Sequence, residues 1–284
     1  MQQQFEYTSE QLKHLQRVEL EILEVISDIC EKHSITWWLE GGSALGALRH
    51  QGFIPWDDDV DIGMLAEDYE LFLEIAPSAL PRNMRLDIPC NNHKMGCMFS
   101  KIVRVDTVFE TLETRDAGYN QGIFVDVFPY GISAPEKEYS VQQRSLVRCV
   151  RLRYLFASGN ATVPHRGLLG RLELAACKVA HPLIRTFTTV ERLDAQFWKA
   201  AFFGNPKHRK AQSGDRIISL CYPETPIPYD RMFPTRTVAF EDDCFPVLHD
   251  VEYYLTLEYG DWRQLPPVEL RKTHRPLRLV LPKV

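Results

Sequence analysis

The stretch Gly41-Gly42-Ser43-Ala44-Leu45-Gly46-Ala47-Leu48-Arg49, followed closely by Trp56-Asp57-Asp58-Asp59-Val60-Asp61, decides how the rest of the chain is read. A glycine-rich turn that opens a helix offers backbone N–H groups and a positive dipole end to an anion, and glycine lets that anion come close. Ser43 adds a hydroxyl. The acids need a reason of their own. On a strand, Asp57, Asp59 and Asp61 project to one face while Asp58 and Val60 face away. Three like charges on one face repel unless a cation offsets them, and a divalent ion held by oxygen ligands is the usual solution. A solvated acidic turn is the alternative, and the flanks Phe53-Ile54-Pro55-Trp56 and Val60-Asp61-Ile62 are too apolar for it.

Outward from that stretch, the pattern alternates helix and strand. Residues 9–33 carry Leu12, Leu15, Val18, Ile22, Val25, Ile26 and Ile29 at helical spacing, with Ser9 as the expected cap. Residues 35–39 read as a strand entering the Gly-Gly turn, 44–50 as the helix leaving it, and 60–64 as the continuation of the acidic strand. A helix over 66–76 should end near Pro77. Strand-like runs follow at 84–88, 98–105 and 123–128. The last contains Asp126 in Gly122-Ile123-Phe124-Val125-Asp126-Val127-Phe128-Pro129, where a lone acid needs a compensating cation or a bonded partner. A third metal-site carboxylate meets that need, and so does a capping role on nearby N–H groups.

Residues 140–200 read as helices, residues 237–240 and 245–248 as a hairpin, and 251–259 as a helix stopped by Gly260. The net charge of −5 conceals an asymmetry, because residues 141–210 hold thirteen lysines and arginines against three acids. A solvated helical face, an anionic membrane surface and nucleic acid all suit such a run, but no nucleic-acid motif accompanies it. Arg148, Arg151 and Arg153 are the expected membrane-facing residues.

Seven cysteines at irregular spacing fit a reducing compartment better than a disulfide framework. Cys90, His93 and Cys97 are weighed as zinc ligands and read as ordinary side chains, because paired close spacing is absent. No apolar run reaches the roughly 18 residues of a membrane span. The N-terminus lacks the basic-then-apolar pattern of a signal peptide. A cytoplasmic protein, peripheral on the inner face of the membrane if the basic run docks there, is the expectation.

Gly41-Gly42-Ser43, Asp59-Val60-Asp61 and the distant Asp126 together resemble the nucleotidyltransferase fold. The longer string Arg49-His50-Gln51-Gly52-Phe53-Ile54-Pro55-Trp56-Asp57-Asp58-Asp59-Val60-Asp61 is similar to the LicD family of phosphocholine and phosphoribitol transferases, as are Lys101-Ile102-Val103, residues 122–129 and Tyr259-Gly260-Asp261-Trp262. The resemblance implies an α+β fold, a nucleotidyltransferase-like mixed sheet flanked by helices, with a helical basic insertion. The expected organisation is a catalytic core over 1–135, a basic helical segment over 136–220 as a membrane or acceptor element, and a C-terminal segment over 221–284 packing back on the core. It implies transfer of a substituted phosphate from CDP-choline or a similar CDP-alcohol to a glycan or lipid-linked oligosaccharide hydroxyl, releasing CMP.

On that reading Asp59, Asp61 and Asp126 are the catalytic residues and ligands of Mg²⁺ or Mn²⁺, and Asp126 also orients or deprotonates the acceptor. Gly41, Gly42 and Ser43 bind the donor phosphates. Asp57 is a ligand or an orienting neighbour. Arg49, Lys101 and Arg104 are candidates for phosphate charge, with surface pairing or helix-end roles as the alternative. His274 lies in a basic tail able to fold over the site, and Trp37 and Trp38 are read as core. Two rivals remain: a nucleotidyltransferase proper, acting on a sugar phosphate, protein or RNA, and a non-catalytic membrane or assembly module of the same fold.

Overall fold

A computed structural model describes residues 7–111, 114–115, 118–158, 165, 167–206, 209–271, 273–274 and 276–282. In chain order the elements are α1 (Ser9–His33), β1 (Trp37–Leu39), α2 (Gly41–His50), β2 (Asp61–Leu65), α3 (Ala66–Ala79), β3 (Met84–Asp87), β4 (Ser100–Arg104) and β5 (Val108–Glu110). They continue with β6 (Phe124–Ile132), α4 (Glu136–Ala157), α5 (Gly167–Phe187), α6 (Val190–Ala201), β7 (Arg216–Ser219), β8 (Ile227–Pro228) and α7 (Tyr229–Met232). The chain finishes with β9 (Arg236–Phe240), β10 (Asp243–Val247), α8 (Val251–Tyr259), a 3₁₀ turn at Val268–Leu270 and β11 (Arg278–Val280).

The central sheet runs β1-β2-β6-β4-β3, with β7 and β8 extending from the far end of β6. Only the β2–β6 pair is parallel; β1–β2, β6–β4, β4–β3 and β6–β7 are antiparallel, which makes the sheet mixed. The α+β fold expected from the sequence is therefore present. Parallel strands need a crossover connection, and the chain from β2 to β6 supplies it with α3 and the strands β3 to β5. The apolar side of α1 (Leu15, Val18, Ile22, Ile26) joins the main core with Ile62, Val125 and Val127 of the central strands.

Local signals account for most element ends, with three differences. Thr8, not Ser9, caps α1, because its hydroxyl accepts from the Gln11 N–H while the Gln11 side chain accepts from the Thr8 N–H, a reciprocal capping box. α3 runs through Pro77 to Ala79. A proline this near the helix end removes one hydrogen bond without breaking the last turn. The acidic stretch is strand only from Asp61; Asp57 to Val60 form a loop leading into β2. Three consecutive aspartates have more freedom to diverge in a loop than on a pleated strand.

The C-terminal chain returns to the core at several places. β7 pairs with β6, β11 pairs with β5, and Trp37 packs on Phe245 of the β9–β10 hairpin. Trp38 is fully buried, edge-on to Tyr130 and Phe233. Cys90 donates to the Asn91 side chain and Cys97 to the Phe99 carbonyl, and the seven cysteines are free thiols. Among the described residues, no helix is long and apolar enough to cross a membrane.

Candidate active site

Pairing register sets the centre of the site. Asp61 of β2 lies directly opposite Asp126 of β6, and Lys101 of β4 lies opposite Asp126 on its other side. Residues opposite one another across neighbouring strands share a sheet face, so two acids and a cation form one row across three strands. Lys101 Nζ sits 2.6 Å from Asp126 Oδ1 and 3.6 Å from the centre of the Phe124 ring. Burial works against the Lys101 charge, and Asp126 with smaller help from Cys97 and Asp61 offsets it, holding the ammonium above its usual range.

The Gly-Ser turn is folded against these acids. Gly41 has φ +53°, the left-handed region that favours glycine, and a side chain there would stand 3.6 Å from both Asp61 Oδ2 and the Tyr259 hydroxyl. At Gly42 a Cβ would come within 2.9 Å of Asp57 Oδ2. The two glycines thus let the first turn of α2 lie on the carboxylates, where the helix dipole favours negative charge. The Gly41 N–H donates to Tyr254 Oη at 2.9 Å, and Ser43 Oγ accepts from the Asp61 N–H at 2.9 Å. Ser43 therefore fixes the entry of β2, and Tyr254 of α8 takes the Gly41 donor.

Four acids are held away from easy ionisation. Burial, then the charges of Asp59 and Asp58, push Asp57 up to about 8, and Asp57 and Asp59 are hydrogen-bonded to one another. Burial also raises Asp59, against the pull of His274. Asp61 is pushed well above the carboxylate range by burial and by Asp59 and Asp126. Burial pushes Asp126 up to about 6, against the attraction of Lys101. Asp58 differs from them. Burial opposes its charge, but the ring and backbone N–H of His274 and the Tyr7 hydroxyl bind it and hold it below its usual value.

His274 brings the C-terminal tail onto the site. Its N–H lies 2.8 Å from Asp58 Oδ1, and its Nδ1 lies 3.2 Å from Asp58 and 3.6 Å from Asp59. The bond to Asp58 raises the imidazole to about 9, so the ring is a cation at neutral pH.

The other two basic candidates are engaged elsewhere. Arg49 donates to the Trp262 carbonyl at 2.8 Å and to His50 at 2.9 Å, tying the end of α2 to the 260–264 loop. Arg104 lies three residues along β4 from Lys101, on the opposite face, and pairs with Glu21 and Asp106. The structure thus gathers Gly41, Gly42, Ser43, Asp57, Asp59, Asp61, Lys101, Asp126 and His274, and leaves Arg104 outside.

Two acids escaped the sequence reading. Glu19 is buried on α1 with Oε2 unpartnered, raised far above its usual range by burial and by Asp59, Asp58, Asp57 and Asp61. Its signal was an acid on the apolar side of α1, between Leu15 and Ile22. Glu40, immediately before the turn, accepts from Tyr130 Oη and is raised to about 8 by burial. Its other oxygen is unpartnered.

The donor set suits a hard divalent cation. Asp57, Asp59, Asp61 and Asp126 present oxygen ligands, their mutual repulsion is met only in part by Lys101 and His274, and a bound cation would offset the rest. Among the described residues, Asp58, Asp59 and His274 are the trio whose ligand atoms lie within 4.8 Å of one another; Asp61 and Asp126 stand outside that trio.

Comparison with known proteins follows the same residues. Residues 34–147 match the family model described as "LicD/FKTN/FKRP, nucleotidyltransferase domain". The chain is 25% identical over 285 residues to the lipopolysaccharide cholinephosphotransferase LicD of Haemophilus influenzae, covering 93% of this chain and 95% of that protein. It is 55% identical over 40 residues to the ribitol 5-phosphate transferase FKRP of Homo sapiens, which is 14% of this chain and 8% of that protein. It is 27% identical over 104 residues to the human ribitol-5-phosphate transferase FKTN, 36% of this chain and 22% of that protein. Residues 34–147 thus match a LicD-type nucleotidyltransferase domain, and the similarity to LicD extends along nearly the whole chain.

Proposed function

We propose that this protein is a metal-dependent transferase that moves phosphocholine, or a related phospho-alcohol, from a CDP-linked donor to a hydroxyl of a cell-surface glycan or its lipid-linked precursor, with CMP leaving. The observation that carries the reading is the row Asp61–Asp126–Lys101 on the face against which the N-terminus of α2 is packed. Phosphoryl transfer needs positioning and charge stabilisation more than covalent help, and this arrangement offers both.

Each residue then has a task. The first-turn N–H groups of Gly42 and Ser43 face donor phosphate oxygens, the Gly41 N–H being used by Tyr254. Asp57, Asp59, Asp61 and Asp126 hold Mg²⁺ or Mn²⁺. Bound there, the metal supplies positive charge to the donor phosphates and lowers the pKa of the acceptor alcohol. Asp126, positioned by Lys101, orients the acceptor hydroxyl and receives its proton as the acceptor oxygen attacks the phosphorus bearing the alcohol. The bond to the bridging oxygen breaks, and CMP departs with that oxygen. His274 clamps the tail over Asp58 and Asp59 and limits water at the donor.

Phosphocholine is placed first because the relative named for that group matches along nearly its whole length, whereas the ribitol phosphate transferases match over short segments. Residues 1–135 serve as the catalytic core, 136–220 as the basic helical segment and 221–284 as the returning segment. A CDP donor puts the reaction on the cytoplasmic side, and a lipid-linked acceptor puts the protein at the membrane surface.

The test is incubation with CDP-choline, Mg²⁺ and a panel of free and lipid-linked oligosaccharides, read by mass. An acceptor heavier by one phosphocholine group is the expected product. A gain of cytidylate would instead mark a nucleotidyltransferase, and failure to bind divalent metal with cytidine nucleotides present would mark a non-catalytic module. Thermal shifts with CDP-choline, CDP-ribitol, CDP-glycerol and CDP-ethanolamine at equal concentration rank the donors, because a ligand that binds the folded state more tightly stabilises it more.

A further inference from the structure

α5 carries its apolar side outward. Leu168, Leu172, Val179, Leu183 and Phe187 recur at spacings of four, seven, four and four residues, which a 3.6-residue period places along one line. All five are exposed, with Leu168 at 75% and Phe187 at 77%. The opposite side does the packing. His181 Nδ1 meets the Leu155 carbonyl at 2.7 Å, and Ile184 packs on the small cluster of Phe156, Val190 and Leu193. Among the described residues of α5, only Gly170 is buried.

A solvated helix with this composition would place its leucines inward, and a membrane-spanning helix would not carry Arg171, Lys178 and Arg185. Arg171 and Lys178, seven apart, flank the apolar line, while Arg185 lies on the α4 side with its guanidinium 5.6 Å from the Phe156 ring centre. Glu173 is the one acid on the helix, and it is paired with His165. An apolar line beside basic residues, on a helix roughly 30 Å long, matches an element that lies in the plane of a membrane interface. Antiparallel pairing with a second copy would bury the leucines but set the basic residues against one another.

We propose that α5 is the membrane-contacting element of this protein, seated in the headgroup layer of an anionic bilayer with the Leu168–Phe187 line toward the acyl chains and Arg171 and Lys178 at the lipid phosphates. Of the α4 arginines expected at a membrane, Arg148 and Arg151 are exposed and Arg153 is not. Arg153 is buried and donates to the Pro89 and Asn92 carbonyls at 2.8 and 2.6 Å, so it pins a loop and cannot face lipid. The inference stands on α5 alone and would survive failure of the transferase reading.

Flotation of the full-length protein with vesicles tests it. Vesicles of phosphatidylcholine with phosphatidylglycerol should bind, and phosphatidylcholine alone should bind at least about tenfold more weakly, given the contribution of each basic residue near an anionic surface. The double change Leu172→Glu and Leu183→Glu should weaken binding at least about tenfold, with the circular dichroism spectrum unchanged because both side chains are exposed. Arg171→Glu with Lys178→Glu should reduce binding to the mixed vesicles only, while Arg148→Glu with Arg151→Glu should leave it near wild type. Vesicle binding indifferent to the leucine and α5 charge changes overturns the proposal. So does a wild-type protein that ignores vesicles and that light scattering shows to be a dimer dispersed by Leu172→Glu, since the line would then be an interface between copies.

Discussion

Two regions of this molecule reverse the usual partition of side chains, in opposite directions. The end of the central sheet buries carboxylates, with Asp61 facing Asp126 and Glu19 buried within the field of Asp57 to Asp61, while α5 exposes an apolar line that a globular fold would normally bury. Both are unfavourable in the isolated chain, since buried like charges cost electrostatic energy and exposed apolar area costs hydration. The difference teaches what each is waiting for. On the proposed reading the sheet end is short of positive charge beyond Lys101 and His274, which a divalent metal would bring, whereas α5 lacks apolar cover, which lipid would bring. Evolution retains such costs where function repays them.

The comparison can be broken at its strongest point first. Asp61→Asn keeps the shape and removes one buried charge, so turnover should fall on the order of a hundredfold or more, as for loss of one preorganised electrostatic group. The same change should raise the Tm of the metal-free protein, because burial and then the charges of Asp59 and Asp126 all disfavour an ionised Asp61, a cost the amide does not carry. A variant with lower Tm and normal turnover would mean that Asp61 is structural. Gly63→Ala probes packing near the same strand. A Cβ there would overlap the Trp38 indole, so stability should drop by about 1–3 kcal/mol in urea titration.

Gly42→Ala separates geometry from stability. The new methyl would push on the Asp57 carboxylate, a movable group, so turnover should fall about tenfold with stability within about 0.5 kcal/mol of wild type. Leu172→Glu should change stability even less, within about 0.5 kcal/mol, and leave turnover on a water-soluble acceptor unchanged. Asp68 supplies the smallest test, a half-buried acid away from the row. Burial raises it to about 6, against bonds from Thr36, so its folded-state pKa lies above the unfolded value. The protonated form then favours folding. That contribution is fully present below the unfolded pKa, near 4, and is lost as pH rises through about 6. Asp68→Asn should therefore flatten the fall in Tm over that window, and an unaltered pH profile would contradict it.

Much of the fold could be read directly from residue order. The stop of α8 at Gly260, the hairpin around Glu241 and the three helices between Glu136 and Ala201 all follow from local chemistry acting within a few residues. The short strands β5 and β11 did not, because three residues carry almost no periodicity and their pairing joins Val108 to Val280, more than half the chain away. At the site, Asp59, Asp61 and Asp126 were visible as acids in apolar surroundings. The parallel register that sets Asp61 beside Asp126 is a tertiary fact that no local pattern encodes. Arg49 and Arg104 looked like phosphate binders because charge alone was available; whether an arginine meets a carbonyl, as Arg49 does at Trp262, depends on where a distant loop arrives.

The exposed line on α5 was legible in principle. Leu168, Leu172, Val179, Leu183 and Phe187 are placed at helical spacing in the sequence, but that spacing reads equally as an inward-facing side. Only the packing of α5 on α4 through His181 and Ile184 decides which side faces out.

The central claim is that the phosphorus bearing the alcohol is the one attacked. Hydrolysis of CDP-choline by the protein in ¹⁸O-labelled water with Mg²⁺ tests this without knowledge of the acceptor, because water takes the place of the glycan hydroxyl. The account predicts ¹⁸O in phosphocholine and unlabelled CMP; label in CMP with unlabelled phosphocholine would contradict it.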